Sequence, residues 1–321
     1  MDIEIRDPQQ HLGHPPKFSD PDITAKGERR AHVALKALET LWFNTGTLCN
    51  ITCENCYIDS SPRNDRLVYL TRADVRRFLA EADVLDDRPL EIGLTGGEPF
   101  MNPDILGIIE DSLSGGYSVL VLTNAMKPMQ RLKTQLADLG RRYPERLTLR
   151  VSLDHYEPAG HERLRGAGSW EPAVEGLRWL AAAGMRVAVA GRTIYGETEA
   201  AMRAGYRVLF AGIGLEIDAT DPSRLVLFPE MTASDDVPEI TESCWGILKK
   251  SPESVMCATS RMVVKRKGAA RPVVVACTLL PYDSAFEMGE TLAEAARPVK
   301  LNHRHCARFC VLGGASCSVH G

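Results

Sequence analysis

Three cysteines at positions 49, 53 and 56, in the run LWFNTGTLCNITCENCY at 41–57, constrain this chain more than any other feature. Thiolates favour soft metals, so the C-x3-C-x2-C spacing points to an iron–sulfur cluster or to zinc. Zinc sites usually show four protein ligands, or three plus water. Three thiolates can instead hold three irons of a 4Fe–4S cluster and leave the fourth iron open to an amino-acid chelate. The other six of the nine cysteines lie at 244, 257, 277, 306, 310 and 317, with none between Cys56 and Cys244. An odd count without an export signal argues against a disulfide framework. Two separate metal sites account better for the distribution.

Composition sets the outer limits. A chain of 321 residues with 44% hydrophobic and 25% charged residues can bury a sizeable core, so disorder throughout is excluded. The formal net charge of -4 gives no reason to expect nucleic acid or an anionic membrane as partner. No apolar run is long enough to span a bilayer. The polar, acidic start MDIEIRDPQQHLGHPPKFSD lacks the basic segment and apolar core of a secretory signal. The expected location is the cytoplasm, and residues 1–30, rich in Pro, Asp, His and Gln, read as a tail or loose cap.

From residue 41 the periodicity alternates between strand and helix. A strand at Leu41–Asn44 feeds the cysteine loop. A helix follows in LTRADVRRFLAEAD, with Thr71 as N-cap and Val75, Phe78, Leu79 and Ala82 on one face. Strands are expected in 89–94, 117–125, 147–153, 185–194, 215–220 and 226–230. The helices between them are PDILGIIEDSLSGG, MQRLKTQLADLG, WEPAVEGLRWLAAAG and EAAMRAGYRVLFAG. This rhythm means a parallel sheet with helical crossovers, either open and doubly wound or closed as a barrel. In both, functional residues collect beyond the C-terminal strand ends. Cys49, Gly96–Glu98, Thr123–Asn124 and Ser152–Asp154 all occupy such places.

The loop GLTGGEPF at 93–100 follows the second strand. Its glycines allow a tight turn and close approach to a ligand, and Glu98 supplies a carboxylate. Placed one strand after C-x3-C-x2-C, this segment resembles the radical S-adenosylmethionine (SAM) superfamily. The resemblance implies a partial (β/α)6 TIM-like barrel and a SAM-binding 4Fe–4S cluster on Cys49, Cys53 and Cys56, which act as the catalytic cysteines. In that family the reduced cluster cleaves SAM to a 5'-deoxyadenosyl radical, which takes a hydrogen atom from the substrate. Gly96, Gly97 and Glu98 match the segment that holds the SAM amino group. VLTNA and VSLDH match strand ends near SAM, so Thr123, Asn124, Ser152 and Asp154 become candidate contacts. RLRGAGSW at 163–170 resembles the following loop, where Arg165 would pair with the SAM carboxylate. Helix capping and solvent exposure are the plainer readings of these five residues. Many relatives carry an aromatic just before the last cluster cysteine. Here Asn55 stands there and Tyr57 follows, which makes Tyr57 the candidate adenine neighbour.

After about residue 235 the rhythm fades into short β-like runs, RMVVKRK and PVVVACTL, between cysteines. The pattern resembles the SPASM/twitch-type auxiliary-cluster domains of radical SAM enzymes, although C-x3-C-x6-C at 306–317 and the wide hairpin gap depart from their common spacing. Two fully ligated clusters need eight cysteines and only six remain. One auxiliary 4Fe–4S cluster is therefore expected, on Cys257, Cys277, Cys306 and Cys310, with Cys317 an alternative ligand and Cys244 outside the set. Zinc, joined by His303 and His305, is the competing reading. The expected organisation is a tail or cap at 1–40, a radical SAM core at 41–235 and an auxiliary cluster domain at 236–321.

The function expected from these features is hydrogen abstraction from a small molecule or short peptide, leading to oxidation, crosslinking or rearrangement. The short stretch ahead of the first strand leans away from a leader-binding domain. Maturation of a ribosomally made peptide is an alternative, as are methyl or methylthio transfer and a non-catalytic iron–sulfur or zinc scaffold. A low-potential donor such as flavodoxin or ferredoxin is the expected electron source. His155, Tyr156, Arg192 and Trp245 are candidates to face the substrate.

Overall fold

The run Thr40–Asn44 is buried at every position, as expected of a strand covered on both faces. A computed structural model describes residues 15–86, 88–231 and 236–317; the reading of residues 1–14 as tail lies outside these. The chain enters through β1 (His32–Val33) and continues into β2 (Thr40–Asn44). Then come β3 (Glu91–Thr95), β4 (Ser118–Thr123), β5 (Leu147–Ser152), β6 (Arg186–Thr193) and β7 (Leu225–Pro229). Strands β2 to β7 pair in chain order and all run parallel. The architecture is a partial (β/α) barrel, and right-handed helical crossovers are what make successive parallel pairing possible.

The crossovers follow from local sequence. Helix α1 (Arg72–Asp83) starts in a capping box in which Thr71 and Asp74 satisfy each other's backbone, and it buries Val75, Phe78, Leu79 and Ala82. Helix α2 (Ile105–Ser114) ends at Gly115, with Gly116 at φ +90°. The helix expected over 129–140 is two pieces, α3 (Lys127–Gln130) and α4 (Lys133–Arg142), broken at Arg131–Leu132. Helix α5 (Pro158–Arg165) takes up part of the segment expected to be loop, so Arg165 is a last-turn residue. Helices α6 (Trp170–Ala182) and α7 (Glu199–Gly212) complete the outer layer.

One expected strand is absent. Residues 215–220 form no ladder, because the Asp218 carboxylate accepts from Thr220 N and Oγ1 and turns the chain there. The sixth parallel strand is β7, where the sequence reading had placed a seventh.

Beyond residue 236 come a short helix α8 (Cys244–Leu248), β8 (Ser260–Val264), β9 (Val273–Val275), β10 (Glu287–Gly289) and β11 (Val299–Lys300). Strand β8 pairs parallel with β2, and β9 and β10 continue antiparallel, so the barrel sheet extends into the cysteine-rich segment. A π-helical turn spans Cys306–Leu312. The apolar residues of both parts, from Phe43 to Phe309, lie in one contiguous core. The described part of the N-terminal segment is tied down as well. Arg30 pairs with Glu239 at 2.6 Å, and β1 pairs with β11.

Candidate active site

The cysteine loop leaves β2 through Asn44, whose Oδ1 accepts from Gly46 N at 3.1 Å. Its return is fixed by Cys49 N donating to Ser61 O at 3.1 Å. Ser60 N points at Cys56 Sγ, 3.4 Å away. Asn55 sits at φ +52°, a conformation that asparagine tolerates and an aromatic residue resists, which gives a backbone reason for the departure from the family pattern. Cys49, Cys53 and Cys56 line one cavity together with Tyr57, Gly96, Gly97, Thr123, Asn124, Ser152, Asp154 and Arg165. All these sequence candidates except Glu98 thus meet at one place. About 990 Å³ of space lies between the atoms of this cavity, part of it open to solvent. Among the described residues no three His, Cys, Asp or Glu side chains gather tightly enough for a single metal ion. The cysteines ring a space instead. Burial pushes the Cys49 thiol up to about 12 and raises that of Cys53, so both are neutral thiols until a metal displaces their protons.

The glycines have a role that the sequence reading did not assign. Gly97 N donates to Gly46 O at 2.8 Å, and Glu98 N to Leu48 O at 3.1 Å. A Cβ on Gly97 would sit 2.2 Å from Leu48 O, and one on Gly96, at φ +143°, would sit 2.4 Å from Gly46 O. Two backbones therefore touch here, and only glycine permits it. Gly97→Ala is expected to push the loops apart, costing about 1–3 kcal/mol of stability by overpacking. Thermal unfolding would register this, with weakened SAM binding by calorimetry.

Glu98 is 2% exposed and does not line the cavity. Its Oε1 accepts from Thr123 Oγ1 at 2.9 Å and Phe100 N at 3.2 Å, and its Oε2 accepts from Asn124 N at 2.8 Å. Burial pushes its pKa up to about 7 against these three hydrogen bonds. The carboxylate braces the loop against the end of β4. Asn124 Nδ2 in turn donates to Asn50 Oδ1 at 2.9 Å, tying β4 to the cysteine loop.

Across the cavity, Asp154 is held between two arginines. Arg165 Nη2 donates to Oδ1 at 2.9 Å and Arg192 Nη2 to Oδ2 at 2.8 Å. Burial opposes ionisation of Asp154, but the two guanidiniums outweigh it and hold the carboxyl well below its usual range. Arg192 also reaches Glu54 O at 3.2 Å and Asn55 O at 3.3 Å, so β6 grips the cysteine loop between its second and third cysteines. Of the residues expected to face a substrate, Arg192 lines this cavity and the others do not. His155 stacks on Tyr156 at 4.2 Å, and both hydrogen-bond Glu197 at 2.8 Å. Trp245 sits half-buried on α8. Tyr57 packs edge-on against Phe228 and Phe309, and its OH donates to Pro229 O at 3.1 Å.

Sequence reasoning missed Phe228, Thr278 and Leu279, which also line the cavity, together with Cys317, expected only as an alternative ligand of the auxiliary cluster. No local motif marks the first three, because only the folding of 278–279 and 317 back over the barrel mouth brings them there. Thr278 Oγ1 donates to Cys317 Sγ at 3.4 Å, and buried Arg150 donates to Cys317 O at 2.6 Å. Cys317 thus belongs to this cavity. Cys257, Cys277, Cys306 and Cys310 line a second pocket, walled by Met256, Leu280, Phe286, Val299 and Leu301. Burial pushes Cys257 up to about 11 and Cys277 up to about 12, and raises Cys306 and Cys310 well above the ordinary thiol value. Four such thiols around one apolar pocket fit a closed thiolate cage for a cluster. His305 lines this pocket too, while His303 lies in a neighbouring cleft. Cys244 is apart, accepting from Thr241 N at 3.4 Å.

The chain is similar in sequence and fold to several known proteins. The antilisterial bacteriocin subtilosin biosynthesis protein AlbA of Bacillus subtilis is 28% identical over 170 residues, covering 52% of this chain and 35% of that protein. The GTP 3',8-cyclase of Tolumonas auensis is 31% identical over 140 residues, 43% of this chain and 39% of that protein. The mycofactocin maturase MftC of Mycobacterium tuberculosis is 29% identical over 136 residues, 42% of this chain and 32% of that protein. The matched segment thus spans between about a third and two-fifths of these relatives' own length. Among solved structures, Streptococcus suis SuiB bound to its precursor peptide SuiA shares the fold, with a TM-score of 0.57 at 13% identity over 82% of this chain and 65% of that one. The anSMEcpe structure with bound AdoMet and Kp18Cys peptide gives 0.54 at 14% identity over 82% and 81%. The profile of the radical SAM superfamily matches residues 43–205, about half of the chain, and contains both the cysteine loop and the glycine–glycine–glutamate brace. The chain belongs to the radical SAM superfamily.

Proposed function

We propose that this chain is a radical SAM maturase of a peptide substrate, with a SPASM-type auxiliary cluster. The observation that carries the reading is the adjacency of two cysteine sites. Cys49, Cys53 and Cys56 line a cavity together with Thr278, Leu279 and Cys317, and Leu279 also lines the four-cysteine pocket. A cluster on the first three cysteines would, with SAM, supply reductive SAM cleavage and hydrogen-atom abstraction. The chain's own residues would bind and shield. Gly96 and Gly97 would bring backbone close to the SAM amino group. Thr123, Asn124 and Ser152 would line its path, and Tyr57 would flank the adenine. Arg165 would meet the SAM carboxylate while Asp154 fixes its plane. The aromatic wall of Tyr57, Phe228 and Phe309 would exclude water. Cys257, Cys277, Cys306 and Cys310 would hold the auxiliary cluster, in a unit we place at 236–321, beside a core at 41–235 and a cap at 1–40.

Two of the relatives are named for bacteriocin biosynthesis and for maturation, and two of the similar folds were solved with peptides bound. These favour the peptide among the substrates expected from the sequence, a small molecule or a short peptide. The GTP 3',8-cyclase likeness supports the second reading, a nucleotide-like substrate. No helix among the described residues is long and apolar enough to cross a membrane. We place the enzyme in the cytoplasm, with a flavodoxin or ferredoxin as electron donor. The test is anaerobic reconstitution followed by SAM, dithionite and either a pool of defined linear peptides or GTP. The expected result is faster 5'-deoxyadenosine release with peptides, and product peptides lighter by two hydrogens. Stimulation by GTP alone would move the assignment to the nucleotide.

A further inference from the structure

We propose that Arg261 is the counter-cation of the auxiliary cluster and raises its reduction potential. The proposal rests on the reading that Cys257, Cys277, Cys306 and Cys310 hold that cluster. Arg261 lies on β8 and is 1% exposed. Its Nη1 donates to Cys257 O at 2.6 Å and Ser260 O at 2.7 Å, its Nε to Ala295 O at 2.8 Å, and its Nη2 to Arg297 O at 3.1 Å. These carbonyls satisfy the guanidinium's hydrogen bonds but not its charge. Among the described residues, no carboxylate pairs with it.

Two of the four buried arginines among the described residues have a carboxylate partner: Arg30 has Glu239, and Arg192 has Asp154. Arg150, like Arg261, is in no ion pair and donates to a cysteine carbonyl, that of Cys317. A cation taken out of water without an opposite charge is costly, and such groups persist where some anion answers them. The ionisable side chains that act on Arg261 are Cys257 and Cys277, both in the four-cysteine pocket. As ligands of a cluster they would be thiolates, and four thiolates around an oxidised 4Fe–4S core carry net negative charge.

The consequence is electronic. Reduction adds one electron to the cluster, with no bond made or broken, and so adds negative charge next to a fixed cation in a medium of low dielectric. Net charge and hydrogen bonding around a cluster set its potential. Arg261 therefore stabilises the reduced state and makes the cluster a better acceptor for an electron arriving from the substrate cavity. It is a positioning residue in this sense and touches no substrate.

The test uses the full chain carrying Cys49→Ala, Cys53→Ala and Cys56→Ala, so that only the auxiliary cluster remains, with its potential followed by electron paramagnetic resonance. Arg261→Gln keeps donors but removes the charge. Arg261→Lys keeps the charge but loses the planar fork. At a fixed solution potential, Arg261→Gln should lower the reduced-to-oxidised ratio roughly tenfold, a shift of about 59 mV for one electron. Arg261→Lys should stay close to the parent. An unchanged potential in Arg261→Gln with full iron content overturns the proposal, as does an equal shift in both variants, which would mean hydrogen bonding alone. A parent protein that binds no cluster would instead sink the four-cysteine reading. Should Arg261→Gln not retain its cluster, the metal-free chains decide. Removing an unanswered cation should leave their melting temperature level or raised, and a marked fall would show that Arg261 only holds the backbone together.

Discussion

Replacing Cys53 by Ala will abolish 5'-deoxyadenosine release while leaving the iron of the second site in place. Cys53 lines the cavity shared with Cys49 and Cys56, and none of the four cysteines of the second pocket lines that cavity. The two cages therefore fill independently. With one of three thiolates missing, the first cage can no longer hold a cluster with a single open iron. Anaerobic reconstitution followed by iron and sulfide analysis should show the loss of one cluster's worth of each, and SAM plus dithionite should give only background product. The converse substitution, Cys277→Ala, should spare the first cluster and cost folding stability, because metal binding there contributes to folding. Retention of SAM cleavage by the Cys53 variant would remove the site assignment altogether.

Asp154→Ala should be among the most damaging substitutions outside the cysteines. The carboxylate is 4% exposed on its side chain and answers both Arg165 and Arg192. Removing one partner of a buried ion group strands the remaining charge, at a cost of about 3–5 kcal/mol. For a chain of 321 residues that is a fall in melting temperature of roughly 4–7 °C. It would also release Arg192 from the position in which it grips Glu54 O and Asn55 O, so cluster retention should suffer. The pH dependence has a definite sign. The folded carboxyl of Asp154 lies below its unfolded value, so its contribution is present above about pH 4 and is lost as pH falls. Glu98 runs the other way. Its folded pKa is up at about 7 against an ordinary 4.5, so its contribution is full below that ordinary value and is lost as pH rises through about 7. Chemical denaturation between pH 4 and 8 should show the wild type losing stability toward the upper end, and Asp154→Ala should keep that Glu98 slope. Extending the series below pH 4 should show an acid-side loss in the wild type that Asp154→Ala lacks.

Much of the site was legible because its chemistry is local in sequence. The spacing of Cys49, Cys53 and Cys56 states a ligand set directly, and the glycine–glycine–glutamate loop follows at the end of the next strand. The capping box at Thr71 and Asp74 is equally local, and the helix begins there. Other features could not be read this way. Glu98 has the chemistry to accept from an ammonium, and nothing in the sequence says that Thr123, Asn124 and Phe100 also donate to its oxygens. The alternation in LEIDAT looks like a strand until the Asp218 side chain turns the backbone. Cys317 follows Cys310 closely enough to suggest a shared cluster, yet the chain carries it to the other cavity, where Thr278 and Arg150 hold it.

The sequence by itself determined the parallel strand–helix order and the superfamily, since each depends on residues close together in the chain. Tertiary structure alone decided that Cys317 lines the barrel cavity and not the four-cysteine pocket, that Thr278 and Leu279 line that cavity too, and which buried arginines have an answering charge. The physical reason is that burial and pairing depend on through-space distance. Parallel pairing of β8 with β2 brings together segments more than two hundred residues apart, and no local pattern encodes that contact.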